Sequence, residues 1–305
     1  MKTSLWVEKY RPKHIAEVIF QDVRQQKQFE KFVEDGGTPI PNLLLSGVQG
    51  TGKTTISKAL IRDLNIDSID VLRINCSDEK IDALREKVRG FATTFAMGAF
   101  KVVQLEEFDY LSLDGQALLR SLIEESSGNC RFIATCNYLN KIIPALRSRF
   151  QEFEFKAPDQ EKVALRMADI LEKEKVVFNP EDLLDFVAVG YPDIRKIIQL
   201  LQQHSGTGTL INPRDEVSSG DDWRFGLLEC ISSGDFKKAR KLVCSSASKE
   251  EHADVYRFLY DNISKLSVKS KDEAVLVIAD YLYRHTIVAD TEINLAACII
   301  ALSKV

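Results

Sequence analysis

Residues that mark specialised chemistry are scarce in this chain of 305 residues. Cysteine is confined to six positions, 76, 130, 136, 230, 244 and 298, and only Cys130 and Cys136 lie near each other. Their Cys-x5-Cys spacing fits neither a zinc hook nor a redox pair, so reduced, mostly buried thiols of an intracellular protein are expected. Four histidines, His14, His204, His252 and His285, are far apart without metal-ligand spacing and read as packing or surface residues. No apolar run approaches the roughly 18 residues of a membrane span and the N-terminus has no signal-peptide profile, so no membrane partner is expected. Excess positive charge is missing as well: 41 Lys and Arg against 45 Asp and Glu leave a formal charge of −4. That balance does not advertise nucleic-acid binding, yet a local stripe of Lys and Arg can carry such contact while the rest stays acidic. With 45% hydrophobic and 28% charged residues, the chain has material for two or three buried cores.

What is present centres on Gly47-Val48-Gln49-Gly50-Thr51-Gly52-Lys53-Thr54, which fits the phosphate-loop pattern G-x-x-x-x-G-K-[ST]. Leu43-Leu44-Leu45 before it suits a buried strand, and a helix is expected over 55–66. The glycines let backbone amides converge on a phosphate chain at a helix N-terminus, so Gly47, Gly50, Thr51, Gly52 and Thr55 are taken as nucleotide contacts. Lys53 is placed to reach the terminal phosphates, and the Thr54 hydroxyl to bind magnesium.

A second nucleotide signal is Lys101-Val102-Val103-Gln104-Leu105-Glu106-Glu107-Phe108-Asp109, an apolar strand ending in carboxylates. Carboxylates at a strand's C-terminal end suit magnesium and the attacking water. Glu106 is assigned to magnesium and Glu107 to orienting and polarising the water. Two residues are off pattern: Glu106 stands where Asp is usual, and Gln104 puts an amide into a strand that should be buried, so it needs a partner.

The remaining segments are read in order. Trp6-Val7-Glu8-Lys9-Tyr10-Arg11-Pro12 either lies across a nucleotide base or is a plain N-terminal strap. Helix is expected over 23–33, stopped by Gly36-Gly37-Thr38-Pro39. A strand at 71–75 precedes a helix at 77–89 whose apolar face is Ile81, Leu84 and Val88. Its Lys80, Arg85, Lys87 and Arg89 either touch a phosphate backbone or form a solvated face balanced by Glu79, Asp82 and Glu86. Phe91, Phe95, Met97 and Phe100 are either core or a protein-docking edge. In the helix 112–125, Leu118, Leu119, Leu122 and Ile123 face inward while Gln116 and Arg120 point elsewhere. A strand at 130–136 ends at Asn137, which either holds the attacking water or caps a turn. Arg147 and Arg149 flank Ser148, where an arginine can stabilise phosphoryl-transfer charge for a neighbouring subunit. Phe153-Glu154-Phe155 is a final strand.

Composition changes at Lys156-Ala157-Pro158, and no strand is expected beyond it. The fold class is an α/β P-loop core with a parallel sheet over 1–156, a small helical lid over 157–208 and an all-α domain over 223–305. The linker is expected at 205–222. In the lid, Arg195 follows Gly190-Tyr191-Pro192-Asp193 and is placed to reach the terminal phosphate. Helices are expected at 223–232, 235–243, 251–264, 272–285 and 291–303, the last two apolar enough to be buried against each other or against neighbouring subunits.

These motifs, in this order and spacing over nearly the whole chain, resemble those of AAA+ clamp-loader ATPase subunits of the replication factor C small-subunit type. Within that type the chain is similar in particular to the large subunit of the phage T4-like clamp loader. The resemblance implies ATP and Mg2+ as cofactors, with Tyr10, Arg11 and Pro12 beside the adenine. It implies Glu107 as general base, Asn137 and Arg195 as sensors of the terminal phosphate, and Arg149 as a finger aimed at the next subunit's ATP. Lys80, Arg85 and Arg89 would track primer–template DNA, Gln116 and Arg120 would couple that contact to the catalytic glutamate, and the 91–100 edge would meet a ring-shaped sliding clamp. The 223–305 helices would be a collar joining copies of the chain and a distinct small subunit into a pentamer, in the cytoplasm of a phage-infected bacterium. Phe150 replaces the family's Cys. The alternatives are another AAA+ replication ATPase (a helicase loader or branch-migration motor), a small-molecule P-loop phosphotransferase, and a catalytically dead scaffold subunit.

Overall fold

The computed structural model describes residues 5–35, 40–213 and 223–305; the helix stop at 36–39 and the 214–222 part of the expected linker lie outside the described residues. The chain divides into two compact units. One runs to Val163 and takes in Pro192–Ile194; the other comprises Ala164–Tyr191 and Arg195–Val305.

The first unit is built on five parallel strands: β1 (Leu43–Gly47), β2 (Val71–Asn75), β3 (Lys101–Glu106), β4 (Cys130–Cys136) and β5 (Gln151–Phe155). Their order is β2-β3-β4-β1-β5. Leu44 stands opposite Ala134 in one ladder and Val103 opposite Phe132 in the next. The three central strands read as near-continuous apolar runs because helices cover both faces. Successive residues of a strand serve opposite faces. Leu44, Val103, Leu105 and Phe132 therefore join one core with Phe108, Leu119 and Leu146, while Leu43, Leu45, Val102 and Ile133 join the other with Phe29, Ile56 and Phe153.

Six α-helices are described in this unit before β5: α1 (Trp6–Lys9), α2 (Val23–Glu34), α3 (Lys53–Asp63), α4 (Ile81–Ala92), α5 (Leu113–Glu125) and α6 (Pro144–Arg147). Three boundaries or orientations differ from the sequence reading. α3 begins earlier, at Lys53, because Gly52 adopts a left-handed conformation (φ 86°) that lets the helix start on the loop itself. It ends at Asp63, with Asn65 in the left-handed region beyond it. α4 begins at Ile81 instead of 77. Asn75 accepts from the Ser77 amide and donates to Asp78, a side-chain turn that holds 75–78 out of the helix and leaves Lys80 in extended backbone. Gln116 does not point away from the core: it is 1% exposed. Its position three residues before Leu119 puts it on the inner stripe of α5, where neighbouring loop groups satisfy its amide.

The apolar cluster at 91–100 is divided. Phe100 is buried and Phe91 half-buried, while Phe95 is 98% and Met97 80% exposed. The loop holding the two exposed residues is fixed from within, since the buried Asp70 carboxylate accepts from the amides of Met97 and Gly98 at 2.8 and 2.9 Å.

The second unit is helical. α7 (Gln160–Lys173) starts in the first unit and runs into it, followed by α8 (Pro180–Gly190) and α9 (Ile194–Gln203). After the linker come α10 (Trp223–Ser233), α11 (Phe236–Ser246), α12 (His252–Asp261), α13 (Lys271–His285) and α14 (Thr291–Leu302). Asn179 caps α8 by accepting from the Glu181 amide, with Pro180 at the first position, as the Asn-Pro-Glu-Asp sequence leads one to expect. The helices before and after the linker pack within the unit: the Phe186 and Phe225 rings meet edge-on at 4.7 Å. Only part of the apolar surface of the last two helices is used inside the chain. Ala274, Ile278, Leu295 and Ile299 are buried, whereas Leu276, Tyr283 and Ile293 are exposed. Among the described residues no helix is long and apolar enough to cross a membrane.

Candidate nucleotide-binding site

Parallel strands bring their C-terminal ends to one edge of a sheet, and that edge is where ligands of open α/β sheets bind. Here the edge gathers the loop after β1, Asn137 after β4, and Glu106 with Glu107 at the end of β3. β4 lies between the other two strands, so the three groups form a contiguous arc.

The loop is held open by its own geometry. A Cβ on Gly47 would lie 2.1 Å from the Phe155 carbonyl oxygen, so only glycine lets the loop leave the sheet beside β5. Gly50 is left-handed as well, at φ 82°. The Lys53 ammonium, 7% exposed, donates to the carbonyls of Gly47 and Val48 at 2.8 Å each. Thr51 donates to the same Val48 carbonyl. Thr54 and Thr55 are half-buried in the first turn of α3, where the unpaired amides and the helix dipole favour an anion.

At the end of β3 the two carboxylates diverge. Glu106 is tethered: Oε1 accepts from the Lys58 ammonium at 3.1 Å and from the Gln104 amide at 3.2 Å. Glu107 turns outward. Its backbone is left-handed (φ 56°, ψ 45°), an uncommon conformation for a side chain of this size, held between Glu106 and the buried pair Phe108 and Asp109. The Glu107 carboxylate is exposed and makes no hydrogen bond or ion pair among the described residues.

Asp109, given no role in the sequence reading, accepts from the backbone amides of Asn137 and Tyr138 at 3.2 and 3.3 Å. It thereby fixes where β4 ends, while the Asn137 side chain makes no hydrogen bond among the described residues. Asp109→Ala leaves both amides short of an acceptor and is expected to cost about 1–3 kcal/mol of stability. A lowered urea midpoint checks it; an unchanged one would mean that water replaces the carboxylate. Burial, reinforced by the Glu107, Glu79, Asp109 and Glu106 carboxylates, pushes the Cys76 thiol up to about 12. Burial lifts the Cys136 thiol to about 12 as well, so neither is a nucleophile.

The N-terminal segment reaches the loop helix through Asp63, at the far end of α3, which accepts from the His14 ring and the Ile15 amide at 2.6 and 2.7 Å. Within the segment Trp6 is buried, Tyr10, Arg11 and Pro12 are half-buried, and Arg11 pairs with Glu8.

Arg149 is not part of the arc. It stands just before β5, and its carbonyl accepts from Asn42, just before β1, at 3.1 Å. Both positions belong to the opposite edge of the sheet, roughly 13 Å from the loop along the length of β1. Its guanidinium pairs with Glu124 and donates to the Ala145 carbonyl. That hydrogen bond to Glu124, followed by the charge of Arg149, lowers the Glu124 carboxyl below its usual range. Arg147 instead pairs with Glu152, at 2.7 Å. Arg195 is exposed in the first turn of α9, in the second unit.

The basic residues expected on one helix are all exposed. Lys80 precedes α4, Arg85 is 3.8 Å from Asp82, Arg89 is 3.3 Å from Glu125, and Lys87 pairs with Glu79. Arg120 is exposed on α5, the helix that packs beside α4. Gln116 donates to the carbonyls of Leu111 and Lys141 and accepts from the Ile143 amide at 2.9 Å. It thus joins the turn that follows Glu107 to the loop that follows Asn137.

Residues 43–157 match the ATPase family associated with various cellular activities (AAA). The chain is 36% identical over 249 residues to a replication factor C small subunit of Archaeoglobus fulgidus, covering 79% of this chain and 77% of the relative. To the replication factor C small subunit of Sulfurisphaera tokodaii it is 35% identical over 317 residues, covering 98% and 95%. That of Sulfolobus acidocaldarius is 33% identical, covering 96% and 94%. Among solved structures, a Thermotoga maritima RuvB Holliday junction branch migration motor superimposes with a TM-score of 0.57 at 17% identity, over 73% of this chain and 79% of that one, a likeness of fold alone.

Proposed function

Because this chain belongs to the replication factor C small-subunit family of AAA ATPases, we propose a residue-level account of how it works in a sliding-clamp loader. The chain is an ATP-hydrolysing subunit of such a loader in DNA replication. The observation that carries the account is the gathering of Lys53, Thr54, Glu106, Glu107 and Asn137 at one sheet edge, with Arg149 at the other.

ATP is the substrate. Its phosphates lie on the amides of Gly50 to Thr55, with Lys53 leaving the loop carbonyls for the terminal phosphates, and its base against Tyr10, Arg11 and Pro12. The residues suit magnesium, a hard cation that takes oxygen ligands: the Thr54 hydroxyl and the tethered Glu106 carboxylate would hold it. When bound, magnesium neutralises phosphate charge. Glu107, free of internal partners, takes the proton of the attacking water, and Asn137 orients that water. The family resemblance assigns Arg195, in the helical segment 157–208, to sensing the terminal phosphate. Arg149 is too far from its own loop to serve it and acts on the neighbour's ATP.

DNA contact is the trigger. Lys80, Arg85 and Arg89 grip the backbone of primer–template DNA, and Arg120 with Gln116 relays that contact through Leu111 to the segment holding Glu107. Phe95 and Met97, fixed by Asp70, dock on the clamp ring. The 223–305 helices form a collar, with the exposed Leu276, Tyr283 and Ile293 covered by neighbours in a hetero-pentamer of this chain and a distinct small subunit. A bacteriophage origin, with the cytoplasm of the infected cell as its place, is proposed on the motif resemblance alone, the relatives named above being those of archaea.

The deciding experiment is steady-state ATP hydrolysis by the assembled loader, with primed DNA and then with clamp added. A rate that rises with each supports the account, and a rate indifferent to both overturns it. Reversing Lys80, Arg85 and Arg89 to Glu is expected to weaken primed-DNA binding at least tenfold and to lower the salt slope by about 3. A filter-binding curve that matches wild type would remove this face as the DNA contact.

A further inference from the structure

Gln104 belongs in no apolar strand, yet it is 0% exposed in the middle of β3, paired with Arg73 of β2 on one side and Ile133 of β4 on the other. An amide desolvated in such a place is retained only if its hydrogen bonds do something. Its Nε2 donates at 2.7 Å to the hydroxyl of Ser57, itself fully buried one turn into α3, and at 3.2 Å to Oε1 of Glu106. Ser57 passes the chain on, donating at 3.0 Å to the carbonyl of Thr54. Lys58, next to Ser57, closes the circuit with its ammonium 3.1 Å from the same Glu106 oxygen. One continuous network therefore runs from the backbone of Thr54 through Ser57 and Gln104 to Glu106, and returns to α3 through Lys58.

The orientation of the amide is fixed by the same partners. Turned over, its oxygen would face the Glu106 carboxylate, acceptor against acceptor. As it stands, Oε1 is buried without a donor among the described residues. The protein thus keeps an unsatisfied acceptor in its core in order to hold one oxygen of Glu106.

Glu106 supplies the reason. A glutamate at the end of β3 carries one more rotatable bond than an aspartate, so its carboxylate samples more positions and reaches further. Gln104 and Lys58 both grip Oε1, and so remove that freedom and leave Oε2 as the oxygen available to a cation's hydration shell.

We infer that Gln104 is a positioning residue paired with Glu106: it fixes the longer carboxylate and ties it through Ser57 to the backbone of Thr54, so that the two magnesium-binding groups form one rigid frame. This inference rests on the reading of Thr54 and Glu106 as the magnesium site. Gln104 is needed only because Glu106 is a glutamate. In an aspartate background the shorter side chain no longer meets the amide, and an apolar residue at 104 serves as well or better.

The test is a magnesium titration of the full chain's affinity for a fluorescent, non-hydrolysable ATP analogue, repeated in chelator. Wild type, Gln104→Leu, Glu106→Asp and the double variant are compared, with thermal unfolding to confirm that each folds. Gln104→Leu is expected to raise the half-saturating magnesium concentration about five- to tenfold, with analogue affinity in chelator unchanged. The same substitution in the Glu106→Asp background is expected to change the magnesium midpoint less than about twofold. A Gln104→Leu titration that matches wild type overturns the inference, as does an equal loss in both backgrounds. An affinity loss that persists in chelator also overturns it, and makes Gln104 a packing residue. If wild type itself binds the analogue no better with magnesium, the magnesium-site reading fails, an outcome distinct from the other three.

Discussion

Arg149→Ala is expected to lower DNA-stimulated ATP turnover of the assembled loader about 10³-fold, about 4 kcal/mol of transition-state stabilisation. Affinity for ATP is expected to hold, because no part of the loop's architecture depends on the guanidinium. Arg149 pairs with Glu124 on the surface and donates to Ala145, at the sheet edge opposite Lys53. Its placement comes from the backbone: Asn42 holds the Arg149 carbonyl while accepting from the Phe132 amide at 2.9 Å. The site therefore keeps its position when the side chain is cut back. A mixing experiment separates action on a neighbour from action within the chain. Loader assembled from Arg149→Ala and Glu107→Gln chains together contains interfaces where an intact finger meets an intact base, and turnover is expected to recover in part. No recovery, with both variants shown to co-assemble, would mean that Arg149 does not serve the neighbour's site.

Glu107→Gln is the second large effect, with turnover expected to fall about 10²–10⁴-fold while ATP, clamp and DNA remain bound in a stalled complex. The substitution keeps the size and hydrogen-bonding reach of the side chain and removes only its capacity to take a proton. Since the Glu107 carboxylate has no internal partner among the described residues, no ion pair is lost and the fold is expected to be as stable as wild type. The left-handed backbone at Glu107 also predicts which neighbours matter: Phe108 and Asp109 are buried and hold the turn, so disturbing either moves the base. Single-turnover hydrolysis is the direct measurement. A Glu107→Gln chain that hydrolyses at the wild-type rate would leave the proton to another group.

The sheet and its sequence of elements were legible because each strand carries its own mark. Leu43-Leu44-Leu45 and Val102-Val103 are apolar without interruption, as strands covered on both faces must be, and the phosphate loop announces the helix after it. Helix beginnings were less so: α4 starts at Ile81 because Asn75, Ser77 and Asp78 satisfy one another locally, a competition that helical periodicity does not register. The wheel of α5 failed at Gln116, where polarity suggested the outer face and three backbone groups, from Leu111, Lys141 and Ile143, made the inner one habitable. Gln104 was recognisable only as a residue needing a partner. Ser57, 47 positions away, could not be identified before the sheet brought α3 against β3. Asp109 was likewise noticed without a purpose until β4 ended upon it.

The loop and Arg149 lie at opposite edges of one sheet, which bears on how many sites an assembly can complete. On the proposed role of Arg149, each chain carries one acceptor half and one donor half of a catalytic site, at opposite edges of its sheet. Chains that join head to tail would each pass one arginine to the next chain's loop. A row of n chains that does not close on itself contains n − 1 completed sites, with an unserved loop at one end and an idle arginine at the other. A different protein at either terminus of the row needs only one half, and can lack the other without loss of a working site.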